Sequence, residues 1–378
     1  MCTLSSCKSE TKKVVIRPIF IKKSLHYQFT SLVDRKSLDV NVAEAESEQH
    51  LLKMLPDYRN LTMFTSQHDV YVGESKDGVT TVKNKQPTKT STQDMQHNRK
   101  KKYIVYDPLE APFLIKLGVA DEKGRILDRK QDKFKQTNKF LEIVKAVMPN
   151  LPQEDNKPLH IVDFGCGRAY LSFALYHLLT NVLKRKVVMT GIDANASIVD
   201  ECNKISTSLG WQDSCKFIKS DIADFTVPKS SGDVDMVISL HACDTATDKA
   251  IFKAIEWNAK VLMAVPCCQK ELALQVNSEE LRPILKHGIL KERFSSMATD
   301  AIRSQLLEII GYKTQVLEFI DLEHTAKNVM IRCTKRSGTN PKQKEMIDKY
   351  ENFKSMLSSD LLLEKLLTPR IEQIKSLK

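Results

Sequence analysis

The stretch Leu159–Leu171, reading LHIVDFGCGRAYL, constrains the chain more than any other. A short apolar run released by Pro158 ends in Asp163, and Gly165 and Gly167 follow at once. Beyond them Leu171, Phe173, Ala174, Leu175, Leu178, Leu179, Val182 and Leu183 recur at helical spacing. Strand, tight loop and helix in that order open a doubly wound α/β sheet. Gly165 and Gly167 let a ligand approach where a Cβ would clash, and a helix start offers unpaired N–H groups. The expected occupant is nucleotide-like.

The spacing narrows the occupant. A dinucleotide fingerprint, G-x-G-x-x-G, fails because its last position is Tyr170, and no Gly-Lys-Ser/Thr ending marks a P-loop. What stands is D-x-G-x-G-x-A, and later strands repeat its terminal acid. Lys186–Gly191 reads as a second strand ending at Asp193, where a carboxylate can accept from both ribose hydroxyls of an adenosine. Cys215–Lys219 reads as a third, with Asp221 placed to meet an adenine amino group. Val234–Leu240 is the fourth, and its Leu240 end abuts the reactive end of the bound molecule.

Two loops at that edge carry chemistry. After the fourth strand come His241, Ala242, Cys243 and Asp244. A neutral imidazole at a strand tip can take a proton at neutral pH. Asp244 has the position of a helix N-cap, and equally could take an acceptor's proton or orient the acceptor. After the fifth strand, Lys260–Val265, come Pro266, Cys267, Cys268 and Gln269. Packing and pocket lining are one role for Cys267 and Cys268, and nucleophilic attack on a pyrimidine ring is another. A metal site is not expected, because no spaced C-x-x-C partner accompanies the pair.

Around this core, residues 1–12 are polar and expected to be disordered. Val14–Phe20, Leu25–Val33, and Val70–Val72 with Val79–Val82 read as strands, and Ala43–Leu55 as a helix. They make a small N-terminal α+β domain over 13–83. A basic linker over 84–103 follows, then the main domain over 104–336 and a C-terminal helical extension over 337–378. Helices are expected at Pro108–Val119 and Asp128–Met148, and a helical insertion at Glu271–Tyr312 in which Thr299 could cap a helix. Thr314–Ile320 and Asn328–Thr334 form a closing hairpin.

Net charge is +11, and seven bases against one acid lie between Lys83 and Tyr103. Arg99, Lys100, Lys101 and Lys102 precede Tyr103, an aromatic able to stack on a base, so RNA is the expected partner. Nine scattered cysteines fit a reducing compartment. With no apolar run of signal or membrane-spanning length, a cytoplasmic protein is expected.

From about Asp128 to Arg336 the order of strands and acids resembles the class I S-adenosylmethionine-dependent methyltransferase core, with Ala169 where a third glycine is usual. The pairing of His241-Ala242-Cys243-Asp244 with Pro266-Cys267-Cys268 is similar to a narrower branch. That branch holds the methyltransferase domain of glutathione-S-transferase C-terminal-domain-containing protein, and relatives named after ribosomal RNA adenine dimethylases. The resemblance implies a Rossmann-like sheet with a closing antiparallel hairpin. It also implies S-adenosylmethionine held by Asp163, Gly165, Gly167, Asp193 and Asp221. The N/D-P-P-Y/F motif for methylating exocyclic amines is missing after the fourth strand. The expected function is S-adenosylmethionine-dependent methylation of RNA, tRNA or rRNA; the alternatives are methylation of a protein or small molecule and non-catalytic binding of cofactor or RNA.

Overall fold

A computed structural model describes residues 2–7, 13–33, 36–75, 77–88, 104–105, 107–153, 157–227, 233–240, 242–319, 329–338 and 342–376. The chain divides into two units, Met1–Lys102 and Tyr103–Lys378.

Alternating apolar residues build the first unit as an antiparallel sheet. Its strands are β1 (Cys2–Cys7), β2 (Lys13–Ile21), β3 (Ser24–Val33), β4 (Lys36–Ala43), β5 (Tyr58–Phe64), β6 (Asp69–Glu74) and β7 (Thr80–Lys85). Their order is β4-β3-β2-β1-β5-β6-β7. Helix α1 (Glu44–Met54) lays Leu51 and Met54 on a core of Leu4, Val14, Ile16, Phe29, Val42 and Tyr58. The N-terminal residues depart from expectation. Cys2–Cys7 is the middle strand, with Leu4 opposite both Val14 and Leu61. So polar a segment gains its order from two neighbours remote in sequence, which local composition does not report.

The second unit begins with α2 (Phe113–Lys116) and α3 (Gln131–Val147). Strand and helix then alternate through β8 (Leu159–Phe164), α4 (Tyr170–His177), β9 (Val187–Asp193), α5 (Ala196–Ser208) and β10 (Cys215–Lys219). Next come β11 (Met236–Ser239), α6 (Thr245–Glu256) and β12 (Val261–Ala264). Three helices, α7 (Lys270–Gln275), α8 (Arg282–Leu285) and α9 (Gly288–Ile309), precede the hairpin β13 (Tyr312–Glu318) and β14 (Val329–Lys335). Helices α10 (Gln343–Leu357) and α11 (Leu362–Ser376) end it. The sheet order is β10-β9-β8-β11-β12-β14-β13, parallel except for β14, which is antiparallel to both neighbours.

Both faces of this sheet are covered, as a parallel sheet requires. Leu159 and Ile161 of β8 join Phe140, Phe173, Met189 and Phe217 on one face. Val162 and Phe164 join Val237, Ile255, Leu262 and Leu306 on the other. That second cluster also takes Ile347, Tyr350, Leu363, Leu367 and Ile371, so α10 and α11 close a core and are no appendage. Thr299 caps nothing. It lies inside the continuous helix α9, and its hydroxyl donates to the Ser295 carbonyl at 2.8 Å. Among the described residues no helix is long and apolar enough to cross a membrane.

Candidate active site

The sheet's strand order reverses at β8, whose partners are β9 on one side and β11 on the other. Ligands of open α/β sheets sit outside the strands' carboxyl ends at such a point. Here a cleft of about 250 Å³ opens, lined by Lys133, Gln136, Asp163, Gly167, Tyr170 and Leu240 among others.

The loop between β8 and α4 places a left-handed residue at every second position: Gly165 (φ 68°), Gly167 (φ 51°) and Ala169 (φ 54°). Ala169 thus does a glycine's work, at a conformational cost of about 1–2 kcal/mol. A Cβ at Gly167 would meet nothing within 4 Å, so the loop presents bare backbone to open space. Under the loop the fit is close. A Cβ at Gly191 of β9 would lie 2.3 Å from Phe217 Cδ1 and 3.2 Å from Cys166 Sγ.

Asp163 is the most perturbed acid of the cleft. It is 3% exposed, and the Ser172 hydroxyl donates to its Oδ2 at 2.5 Å. Its Oδ1 is buried with no partner. Burial pushes the carboxyl up to about 7, against the Ser172 hydrogen bond and with help from the Asp193 charge. A buried acceptor left unpaired on a ligand cleft is a place for a donor to bind.

The other predicted acids divide. Asp193 ends β9 and stabilises the loop itself, because Oδ2 accepts from the Gly167 N–H at 2.9 Å and Oδ1 from the Asn195 N–H at 2.9 Å. A carboxylate has about four acceptor sites, so capacity remains for hydroxyls. Asp221 stands more exposed at the end of β10, accepts from the Ala223 N–H at 2.8 Å and pairs with Lys249 at 3.7 Å. Leu240 is buried at the end of β11 and forms an apolar wall.

Helix α3 supplies polar groups that sequence alone favours as a solvated face. Lys133 and Gln136 line the cleft, with the Lys133 ammonium donating to Gln136 Oε1 at 3.1 Å. Burial, then the charge of Lys130, pushes the Lys133 ammonium down. Lys130 and Lys133 lie 5.7 and 6.0 Å from the Tyr170 ring centroid. Tyr170, the position that breaks the dinucleotide spacing, lines the cleft.

His241 lies outside the described residues, as do Arg99, Lys100, Lys101 and Lys102. Asp244 sits at the start of α6 in a strained backbone (φ 52°, ψ −122°), and its side chain does not cap that helix. Instead Oδ1 accepts from the N–H groups of Lys270 and Glu271, at 3.0 and 3.2 Å, at the start of α7. Its own N–H donates to the Cys268 carbonyl at 3.1 Å. Below, the buried Arg303 donates to Asp248 at 2.8 and 2.9 Å, to Asp300 at 3.1 Å and to the Asp244 carbonyl at 2.8 Å. Gln269 extends this network to Asp300 at 3.0 Å.

This scaffold brings Cys243 to Cys267 and Cys268, with all three sulfurs within 4.8 Å of one another. Neighbouring Cys267 and burial push the Cys243 thiol up, and burial foremost pushes Cys267 and Cys268 up. As thiols they stay protonated at neutral pH, which disfavours nucleophilic attack by Cys267 or Cys268.

Residues 132–275 match the family model Methyltransf_32, described as a methyltransferase domain. No curated protein matches the sequence. Among solved structures, magnesium protoporphyrin IX methyltransferase from Synechocystis is 14% identical, covering 61% of this chain and 96% of its own, with a TM-score of 0.34. An S-adenosylmethionine-dependent methyltransferase from Aquifex aeolicus is 15% identical, covering 61% and 98%, with a TM-score of 0.31. At such scores these structures lend no residue role and no substrate to this chain. Strand order and the closing antiparallel hairpin give the second unit a Rossmann-like α/β fold, and residues 132–275 within it match a methyltransferase domain.

Proposed function

We propose that the chain transfers a methyl group from S-adenosylmethionine to RNA, with tRNA or rRNA as the acceptor class. The observation that carries the transfer is the cleft where the unpaired Asp163 oxygen, the bare Gly167 backbone and Leu240 converge. When bound, the cofactor supplies a methyl group activated by a sulfonium. Asp163 Oδ1 accepts from its ammonium, and Lys133 meets its carboxylate. Asp193 takes the ribose hydroxyls on the acceptor sites its backbone bonds leave over, and Asp221 takes the adenine amino group. Gly165 and Gly167 give the backbone clearance, and Leu240 walls the methyl-bearing end. The protein's remaining task is to align the acceptor and exclude water. His241, next in sequence to Leu240, receives the acceptor's proton. Asp244 holds the neighbouring loops in place and leaves the proton to His241.

Charge supports RNA as the acceptor. The net charge is +11, and its densest part, Lys83–Tyr103, ends in an aromatic. Lys130 and Lys133 around Tyr170 set two cations and a π-face at the rim of the cleft. The pairing of His241–Asp244 with Pro266–Cys268 favours the branch holding the methyltransferase domain of glutathione-S-transferase C-terminal-domain-containing protein.

Tritiated methyl transfer into fractionated cellular RNA and protein tests the proposal. Label in RNA is expected, together with RNA binding that weakens steeply with salt. Label only in protein or small molecules refutes the RNA acceptor and leaves the transferase. Cofactor binding without label in any fraction makes the domain a binding module.

A further inference from the structure

We propose that Cys243, Cys267 and Cys268 bind one zinc ion through three thiolates, leaving the fourth position to water or an exogenous donor. The site is independent of the methyl acceptor and of the cofactor cleft's own residues. Sequence spacing speaks against it, since a vicinal pair lacks the usual C-x-x-C separation. The missing ligand comes from the next strand. β11 and β12 pair in parallel, so the loops leaving their carboxyl ends are neighbours, and Cys243 arrives 24 residues ahead of Cys267.

Geometry favours a soft or borderline tetrahedral ion. A zinc ion at about 2.3 Å from each sulfur sets the sulfurs about 3.8 Å apart. Cys267 and Cys268 are 3.7 Å apart. Adjacent residues can share an ion here because Pro266–Gln269 is neither strand nor helix, so no pleat forces their side chains to opposite faces. Cys243 and Cys267 are 2.7 Å apart, and a modest rotation of the exposed Cys243 side chain opens that edge to the ~3.8 Å that a shared zinc requires.

The surroundings hold the trio in place. Asp244, directly after Cys243, keeps a strained backbone and ties its loop to the Cys268 carbonyl and to the start of α7. Arg303 anchors the Asp244 carbonyl from below, and Gln269, directly after Cys268, is held by Asp300 and Ser296. Both cysteine-bearing loops are thus fixed by buried, charge-assisted hydrogen bonds, as a preorganised ligand set requires. Among the described residues no other group of His, Cys, Asp or Glu reaches this arrangement. Thiolate donors select zinc over calcium or magnesium. Each thiol that becomes a ligand releases its proton to water, so zinc uptake acidifies an unbuffered solution.

Metal analysis of the full chain, purified under reducing conditions with zinc and then desalted, tests the site. About one zinc per chain is expected, falling to near zero in Cys243→Ser, Cys267→Ser and Cys268→Ser. Cys333→Ser, a buried thiol elsewhere, should retain the metal. Cobalt substitution in the unaltered chain gives a reading that needs no variant, with thiolate-to-cobalt charge-transfer bands expected. Zinc content no higher than in the triple serine variant overturns the proposal. So does the absence of those bands, or a Cys243–Cys267 disulfide that persists in reductant and excludes metal.

Discussion

Replacing Asp163 by Asn separates the folding cost of this carboxyl from its use. Burial holds its pKa near 7, against an ordinary value of 3.8. Between those two values the folded protein keeps a proton that the unfolded chain has released. The resulting stability is complete below pH ~4, declines as pH rises, and is gone above pH ~7. A gap of about three units at 1.36 kcal/mol each makes the loss about 4 kcal/mol. An amide cannot ionise, so Asp163→Asn should match the wild type at pH ~3 and exceed it by up to about 4 kcal/mol at pH ~8. Urea denaturation of both proteins across that range measures the difference, from which other titrating groups cancel. Parallel stability curves would refute the reasoning. The ligand side has the opposite sign. An ammonium favours the ionised carboxylate, so cofactor affinity should fall about tenfold per pH unit below ~7 in the wild type. The variant should bind weakly at every pH, because a neutral amide carries no charge to pair with the ammonium.

Gly191→Ala should destabilise by about 1–3 kcal/mol in denaturant melts, because its Cβ would sit 2.3 Å from the Phe217 ring in a packed core. Asp193→Ala should abolish cofactor binding by calorimetry, since the Gly167 and Asn195 N–H groups lose their acceptor along with the ribose. Arg303→Ala leaves Asp248 and Asp300 buried without their counter-charge, and should cost about 3–5 kcal/mol in the same melts.

The parts of the site within one strand–loop–helix unit were legible beforehand. Apolar runs ending in Asp163, Asp193 and Asp221 are local patterns, and the G-x-G spacing permits the left-handed turns of the loop. Local pattern is silent where a residue's partner lies far away in the chain. Cys2–Cys7 looks like a tail because its order comes from β2 and β5. Asp244 looks like the cap of its own helix, yet its acceptor serves N–H groups 26 and 27 residues on.

Sequence by itself determined the class of fold and the sheet edge where the cleft lies, because backbone sterics and the period of apolar residues act over a few neighbours. Only the tertiary structure decided which oxygen of Asp163 stays unpaired, that Lys133 turns toward the cleft, and that Cys243 meets Cys267 and Cys268. Those outcomes depend on which strands become neighbours and what is buried between them, and no short stretch of chain encodes either.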